Sequence, residues 1–248
     1  MSESKRLAFF LPNTFTAINL ACGFFSIILS FKGQYYEAAM ALVLGSIFDS
    51  VDGRVARITG TESQFGEQFD SMSDVVSFGI APSILVYNRF LVDMGRAGIV
   101  VAFVFLLCGA LRLARFNSNI EKVSSDFFQG LPIPSAALGL IGLVLFSLEF
   151  SFIKDVAIIS PVYIIFFAIL MISNIPFYSF KNSHAARKYK KAMLVFIFLT
   201  LILTATYEEL MIGVVILFYV ISSVIYYLLN LNRFRGIFDW QNESEHSD

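Results

Sequence analysis

The sequence predicts an all-α fold: a polytopic transmembrane helical bundle of about eight spans. Three observations carry that prediction. Apolar residues fill 57% of the 248 positions and charged residues only 15%, giving a mean hydropathy of +0.73. Apolar runs long enough to cross a bilayer as helix, roughly 17–25 residues, recur along the chain. Short polar or basic stretches separate them, and neither an internal repeat nor a soluble domain breaks the pattern. Residues 1–231 therefore read as one transmembrane domain, with a core over about 7–177 and additional C-terminal spans over about 192–231. A charged tail covers 232–248.

Taken in order, Leu7 to Leu11 suggest a short interfacial helix, and Pro12 suits the start of the next helix. The first span runs from about Phe15 to Phe31; Asn13, Thr14, Thr16 and Asn19 interrupt it too early for a cleavable signal, so it reads as retained. After the turn Lys32-Gly33-Gln34, a second span runs from about Tyr35 to Ile58, its apolar part ending near Phe48. A polar link precedes a third span, about Gly66 to Phe90, which Pro82 should kink. The fourth span is about Gly98 to Phe116, and a polar loop follows to Gly130. Further spans cover about Pro132–Phe150, Ser160–Phe177, Ala192–Tyr207 and Leu210–Leu231, with a basic loop, Lys181 to Lys191, before the seventh. Cys22 and Cys108 both fall in apolar segments, which argues for core thiols over a disulfide. No basic face for nucleic acid is evident.

The stretch from Phe48 to Gly79 departs from the apolar pattern. It holds Asp49, Asp52, Asp70 and Asp74, in the spacing Asp-x2-Asp-Gly-x2-Ala-Arg-x8-Gly-x3-Asp-x3-Asp. If each half is helical, each aspartate pair lies on one helix face. Like charges at that spacing repel, and a carboxylate at the centre of a membrane helix costs about 2.5–3.5 kcal/mol on insertion scales. Divalent cations remove the objection, because two facing pairs offer hard oxygen ligands suited to Mg²⁺ or Mn²⁺. Paired ions of that kind serve in-line displacement at phosphorus. Gly53 and Ala56 leave a groove free of large side chains. Arg57 ends it with a cation suited to bidentate phosphate binding. Gly66 gives similar clearance one turn before Asp70. Two other readings compete: solvated loop charges, and an intramembrane cation pathway. The first does not predict Gly and Ala at the intervening positions. The second expects charges at the bilayer midplane and often paired repeats, whereas these acids sit at helix ends.

Arg112, Arg115 and Asn117 form a second constellation at the end of the fourth span, the arginines sharing one face. They read equally as headgroup anchors or as a receptor for an anionic group.

The aspartate stretch resembles the CDP-alcohol phosphotransferase family at all eight specified positions over 26 residues. Four other runs narrow the resemblance. They are Pro12-Asn13-x-Phe15-Thr16-x2-Asn19-Leu20-x2-Gly23, Phe78-Gly79-Ile80-Ala81-Pro82-Ser83, Arg112-Leu113-Ala114-Arg115-Phe116-Asn117 and Gly130-Leu131-Pro132-Ile133-Pro134-Ser135-Ala136-Ala137. Together they look like the CDP-diacylglycerol–serine O-phosphatidyltransferases, over roughly residues 7 to 140. The resemblance implies a catalytic membrane domain that transfers the phosphatidyl group of CDP-diacylglycerol to L-serine, giving phosphatidylserine and CMP. It implies two divalent cations, Mg²⁺ or Mn²⁺, held by Asp49, Asp52 and Asp70 with Asp74 also at the metal site, and Asp74 as general base. Gly53, Ala56, Arg57 and Gly66 would line the CDP pocket, closed from the first helix by Asn13, Thr16 and Asn19. Arg112, Arg115 and Asn117 would bind the serine carboxylate or the β-phosphate. Glycerol 3-phosphate or inositol phosphate as acceptor is the alternative. The implied partners are these substrates, membrane lipids and a second copy of the chain, for which Gly109 and Ala110 offer close helix contact.

Lysine and arginine set the expected orientation. Fourteen of the 18 fall on the side of the termini and the aspartates, four on the other. Both termini and the acidic cluster are thus expected in the cytoplasm of a multi-pass inner-membrane protein, or its equivalent.

Overall fold

The computed structural model describes residues 3–118, 127–150, 158–178, 203–204 and 206–231. The Lys181–Lys191 loop, most of the expected seventh span and the tail from Asn232 lie outside the described residues. Helix α1 (Glu3–Phe31) and helix α2 (Tyr35–Thr59) form a long antiparallel hairpin. The separate interfacial helix expected over 7–11 does not form; α1 runs through Pro12 unbroken. At 1.5 Å per residue, the 25 residues of α2 extend about 37 Å, more than the roughly 30 Å hydrocarbon layer. Its last turns, with Asp49 to Arg57, therefore have room to emerge.

The third span is one rod of changing pitch. Helix α3 (Gln64–Asp74) is capped by Ser63, whose hydroxyl accepts from the Gly66 amide at 3.1 Å. A π-helical stretch (Val75–Ile80) follows, then helix α4 (Ala81–Val86), a second π stretch (Tyr87–Leu91) and a 3₁₀ turn (Val92–Met94). Pro82 is the second residue of α4. The irregularity expected at the proline thus takes the form of a π turn just before it, where the Ser83 hydroxyl bonds the Gly79 carbonyl at 2.7 Å.

Helix α5 (Arg96–Ser118) leads to a short strand β1 (Phe127–Gln129), helix α6 (Ile133–Glu149), helix α7 (Ile159–Ile172) and strand β2 (Pro176–Tyr178). Helix α8 (Glu208–Leu229) follows. The two strands pair antiparallel, Phe128 opposite Phe177. Sequence reading put a loop at β1 and helix through Phe177. Three-residue strands carry no usable periodicity, and Pro176 sits at a strand start, where a missing N–H is tolerated.

Helix α6 is the centre of the bundle. Its side chains are apolar apart from Ser135, Ser147 and Glu149, and it is buried on nearly every face, including Ile133, Ala137, Leu140, Ile141 and Val144. Neighbours approach it through glycines. A methyl at Gly142 would overlap the Gly213 backbone of α8, and one at Gly109 of α5 would come within 2.9 Å of Ile133. Gly109, expected as a contact between copies, therefore packs inside the chain. The outer surface is a belt of exposed Phe24, Phe25, Ile47, Phe103, Leu107, Ile221 and Leu228. Such a surface suits lipid and not water. Pro12–Phe31, Gln64–Met94, Arg96–Ser118 and Glu209–Leu229 are each long and apolar enough to cross a membrane.

The Gly142–Gly213 crossing gives a direct test. Gly142→Val should push α8 off α6 and lower stability by about 1–3 kcal/mol. Thermal unfolding of the detergent-purified protein reads this as a lower Tm. An unchanged Tm would refute the tight crossing.

Candidate active site

The site is built where α1, α2 and α3 meet. Asp49 and Asp52 sit one turn apart on α2, and Asp70 and Asp74 one turn apart on α3. One carboxylate oxygen from each of Asp49, Asp70 and Asp74 falls within 4.8 Å of the others. Asp52 stands just outside this group, more deeply buried than the other three. Its Oδ2 accepts from the Thr16 hydroxyl at 2.8 Å and its Oδ1 from the Gly53 amide. The sequence treated the four acids as one set; the structure brings three together and ties the fourth to α1.

Helix α1 holds both acid-bearing helices. Thr16 bonds Asp52, and Asn19 donates to Asp49 at 3.5 Å, so two side chains one turn apart on α1 meet two on α2. From the other direction, Ser73 and Ser77, both fully buried, donate to the α1 carbonyls of Thr16 and Asn19 at 3.2 and 2.9 Å. Gly23 permits this contact, since a methyl there would lie 2.6 Å from Ser77 Oγ. Sequence reading missed Ser73 and Ser77. Their signal was small polar residues at helical spacing after Asp70, entering an apolar run.

A cavity of about 180 Å³ opens beside the cluster. Asn13, Thr16, Asp52, Gly53, Ala56, Arg57, Gly66 and Asp70 all line it, which gathers most of the expected nucleotide-binding residues around one space. Nothing lies within 4 Å of where a Gly53 side chain would begin. A methyl at Gly66 would crowd the Ser63 cap and Asn13. Glu62 and Glu67, not singled out from sequence, also face the cavity. Asn19 does not; it is fully buried behind Asp49.

The cluster suits a divalent cation. Buried Asp70 Oδ1 and Asp74 Oδ1 have no hydrogen-bond partner, and the donors are hard carboxylate oxygens. A cation there would supply the missing partner and relieve the repulsion between the acids.

The two arginines of α5 diverge. Arg112 is buried, with Nε unpartnered, its guanidinium 5.3 Å from the Phe116 ring centre and Asp74 among its charged neighbours. Arg115 instead donates to the carbonyls of Met171, Ile172 and Ser173 at the end of α7, and to that of Gln129 in β1, at 3.0–3.3 Å. It closes a helix C-terminus, where carbonyls lack partners and a cation is favoured. Gly130, at φ +72°, passes so close that a methyl would lie 2.9 Å from the Arg115 guanidinium. The two arginines expected to act as one anion receptor thus have different partners. Asn117 bonds Ser71 at 3.0 Å, joining α5 to α3 beside Asp70.

A helical bundle with apolar, membrane-length helices and carboxylates clustered where α1, α2 and α3 meet, next to a small-residue cavity, defines a class of integral-membrane proteins with an acidic site able to take a divalent cation. Comparison with known proteins makes this specific. Residues 9–172 match the family model for CDP-alcohol phosphatidyltransferase, and the chain belongs to that family. It is 37% identical over 203 residues to the CDP-diacylglycerol–serine O-phosphatidyltransferase of Helicobacter pylori (strain ATCC 700392 / 26695), covering 82% of this chain and 85% of the relative. The Methanocaldococcus jannaschii protein of the same name is 42% identical over 167 residues, 67% of this chain and 73% of that one. The archaetidylserine synthase of Methanothermobacter thermautotrophicus is 43% identical over 141 residues, 56% of this chain and 59% of that one.

Arg115→Ala should lower stability by about 2–3 kcal/mol, since it orphans carbonyls that met a charged donor. Arg115→Lys should recover little, because one ammonium cannot reproduce the planar fork. Thermal unfolding checks both. A variant as stable as wild type, but with weakened acceptor binding, would restore Arg115 to the anion site.

Proposed function

We propose that this chain transfers the phosphatidyl group of CDP-diacylglycerol to L-serine, producing phosphatidylserine and CMP. The observation that carries the chemistry is the convergence of Asp49, Asp70 and Asp74 beside a cavity walled by Gly53, Ala56, Arg57 and Gly66. Serine as acceptor is supported by relatives that align over most of the chain and are CDP-diacylglycerol–serine O-phosphatidyltransferases by name.

In this reading, Asp49, Asp70 and Asp74, with Asp52 beside them, hold two divalent ions, Mg²⁺ or Mn²⁺. Divalent ions held there would supply neutralisation of the charge on the pyrophosphate and on the departing CMP. Arg57 pairs with nucleotide phosphate, and the open faces of Gly53 and Gly66 let the nucleotide approach backbone. Thr16 and Asn19 orient Asp52 and Asp49, while Asn13 closes the cavity from α1. Asp74 takes the proton from the serine hydroxyl as its oxygen bonds to the β-phosphorus; the bond from that phosphorus to the bridging oxygen breaks, and CMP leaves with the electron pair. Arg112 receives the serine carboxylate. Buried arginine with an unpartnered Nε is suited to such an anion. Asn117 supports α3 through Ser71.

The acids and both termini face the cytoplasm, a reading supported by the excess of lysine and arginine on that side. The resemblance supports a homodimer, which the mass of the detergent-purified protein tests.

CMP release by the purified protein tests the reaction, with L-serine, glycerol 3-phosphate, inositol phosphate or no acceptor. Release should need serine and a divalent cation, and chelator should abolish it. Asp74→Asn should cut turnover by about 10²–10⁴-fold with CDP-diacylglycerol binding retained. Arg112→Ala should raise the serine KM by about tenfold or more, as expected for a lost charge-assisted bond. Release with another alcohol in place of serine would overturn the acceptor, and near wild-type turnover by Asp74→Asn would remove Asp74 from the chemistry.

A further inference from the structure

A second and larger cavity, of about 810 Å³, reaches the acidic cluster through Asp49. Among the described residues, no residue lines both cavities: the smaller one touches the cluster at Asp52 and Asp70, the larger at Asp49. The wall of the larger one is mostly apolar, but one strip is not. Tyr219, Ser222, Ser223 and Tyr226 of α8 recur at helical spacing and all face the cavity, with Ser135 of α6 also lining it. A polar strip on an otherwise apolar membrane helix has no return from lipid. Tyr219 also lies near enough to Arg112 to interact with it electrostatically, as does Asp74. The Tyr219 ring is held against Phe177 of β2, centroids 5.8 Å apart.

In-line displacement gives these two spaces different tasks. The attacking oxygen must approach phosphorus opposite the leaving group. If the nucleotide fills the cavity at Asp52 and Asp70, the nucleophile comes from the side of Asp49. We propose that the polar strip of α8, with Tyr219 at its centre and Arg112 behind it, is the acceptor subsite, and that Tyr219 determines which small amino alcohol is used. This rests on the transfer reaction proposed above. The apolar remainder of the cavity has ample room for the glycerol end of the lipid. Helix α8 lies beyond the residues that match the family model, so the acceptor side is furnished by a part of the chain outside that match.

The test uses the full chain purified in detergent and separate KM values for CDP-diacylglycerol and L-serine. Tyr219→Phe keeps the ring contact and removes the hydroxyl. It should raise the serine KM at least fivefold, keep the CDP-diacylglycerol KM within twofold, and weaken the preference for serine over ethanolamine. Tyr227→Phe, which does not line the cavity, should change none of these. If Tyr219→Phe does not fold, Ser223→Ala is read in its place. An unchanged serine KM, or a shift in the CDP-diacylglycerol KM alone, would overturn the subsite and leave the cavity to lipid. Failure of the underlying reading looks different: wild type would then turn over another alcohol and not serine, and the same comparison would be made for that alcohol.

Discussion

The structure depends on how α1 grips two helices that would otherwise repel each other. Asp49 and Asp52 on α2, and Asp70 and Asp74 on α3, are four acids in a small volume. Nothing in their mutual charge draws α2 towards α3. The contact is made through α1 instead: Thr16 and Asn19 reach α2 with side chains, and Ser73 and Ser77 reach α1 backbone from the third span. Neutral hydroxyl and amide donors do this without adding charge. A cation on α1 would neutralise the acids and compete with a metal for the same oxygens. The polar face of α1 therefore sets the cluster's geometry while leaving its charge for a ligand. The contact is close because Gly23 has no side chain, and Gly45 on α2 gives Asn19 similar room, a methyl there lying 3.0 Å from Asn19 Oδ1.

What the sequence made legible follows from which information is local. The aspartate spacing could be read because i,i+3 and i,i+4 positions must share a helix face whatever the tertiary fold. Gly53, Ala56 and Gly66 were legible for the same reason, and they do border one cavity with Asp52 and Asp70. The span boundaries were mostly readable from hydropathy; α6, for example, is observed at Ile133–Glu149 against an expected Pro132–Phe150. Pairwise features were hidden. Arg112 and Arg115 are indistinguishable in sequence, both apolar-flanked arginines on one face. Only the position of the α7 C-terminus separates them, giving Arg115 a ring of carbonyls and leaving Arg112 Nε unpartnered. The assignment of Gly109 failed likewise, because a small residue invites close packing but does not name the partner.

The β1–β2 pair was invisible for a further reason, and it matters to the site. Three-residue strands have too little pattern to register, yet this pair fixes the chain between α5 and α6. Gln129 caps the arrangement, its side-chain amide bonding Asn174 at 2.9 Å and its carbonyl accepting from Arg115. Gly130 then turns the chain at positive φ into the start of α6. The two resemblance runs Arg112–Asn117 and Gly130–Ala137, distant from the aspartates in sequence, thus meet one another at Arg115 and Gly130. Their task there is architectural: they set where α6 begins, and α6 is the axis against which α8 packs.

That axis explains how one cluster of acids can serve two cavities. Helix α2 presents Asp52 to the small cavity and Asp49 to the large one, a single turn apart. The small cavity is walled by α1, α2 and α3, with α1 hydrogen-bonded to the α2 carboxylates and accepting on its backbone from the third span. The large cavity lies between α2, α6 and α8, and α6 and α8 meet backbone against backbone at Gly142 and Gly213. A wall held by directed hydrogen bonds keeps side chains in register, which suits recognition of a nucleotide of fixed shape. A wall held by close backbone packing fixes the spacing of its helices and leaves most of their side chains apolar, which suits a space bordering lipid. The small cavity thus suits the nucleotide, and the large one, apolar except for the strip on α8, suits the lipid end of the substrate together with the acceptor.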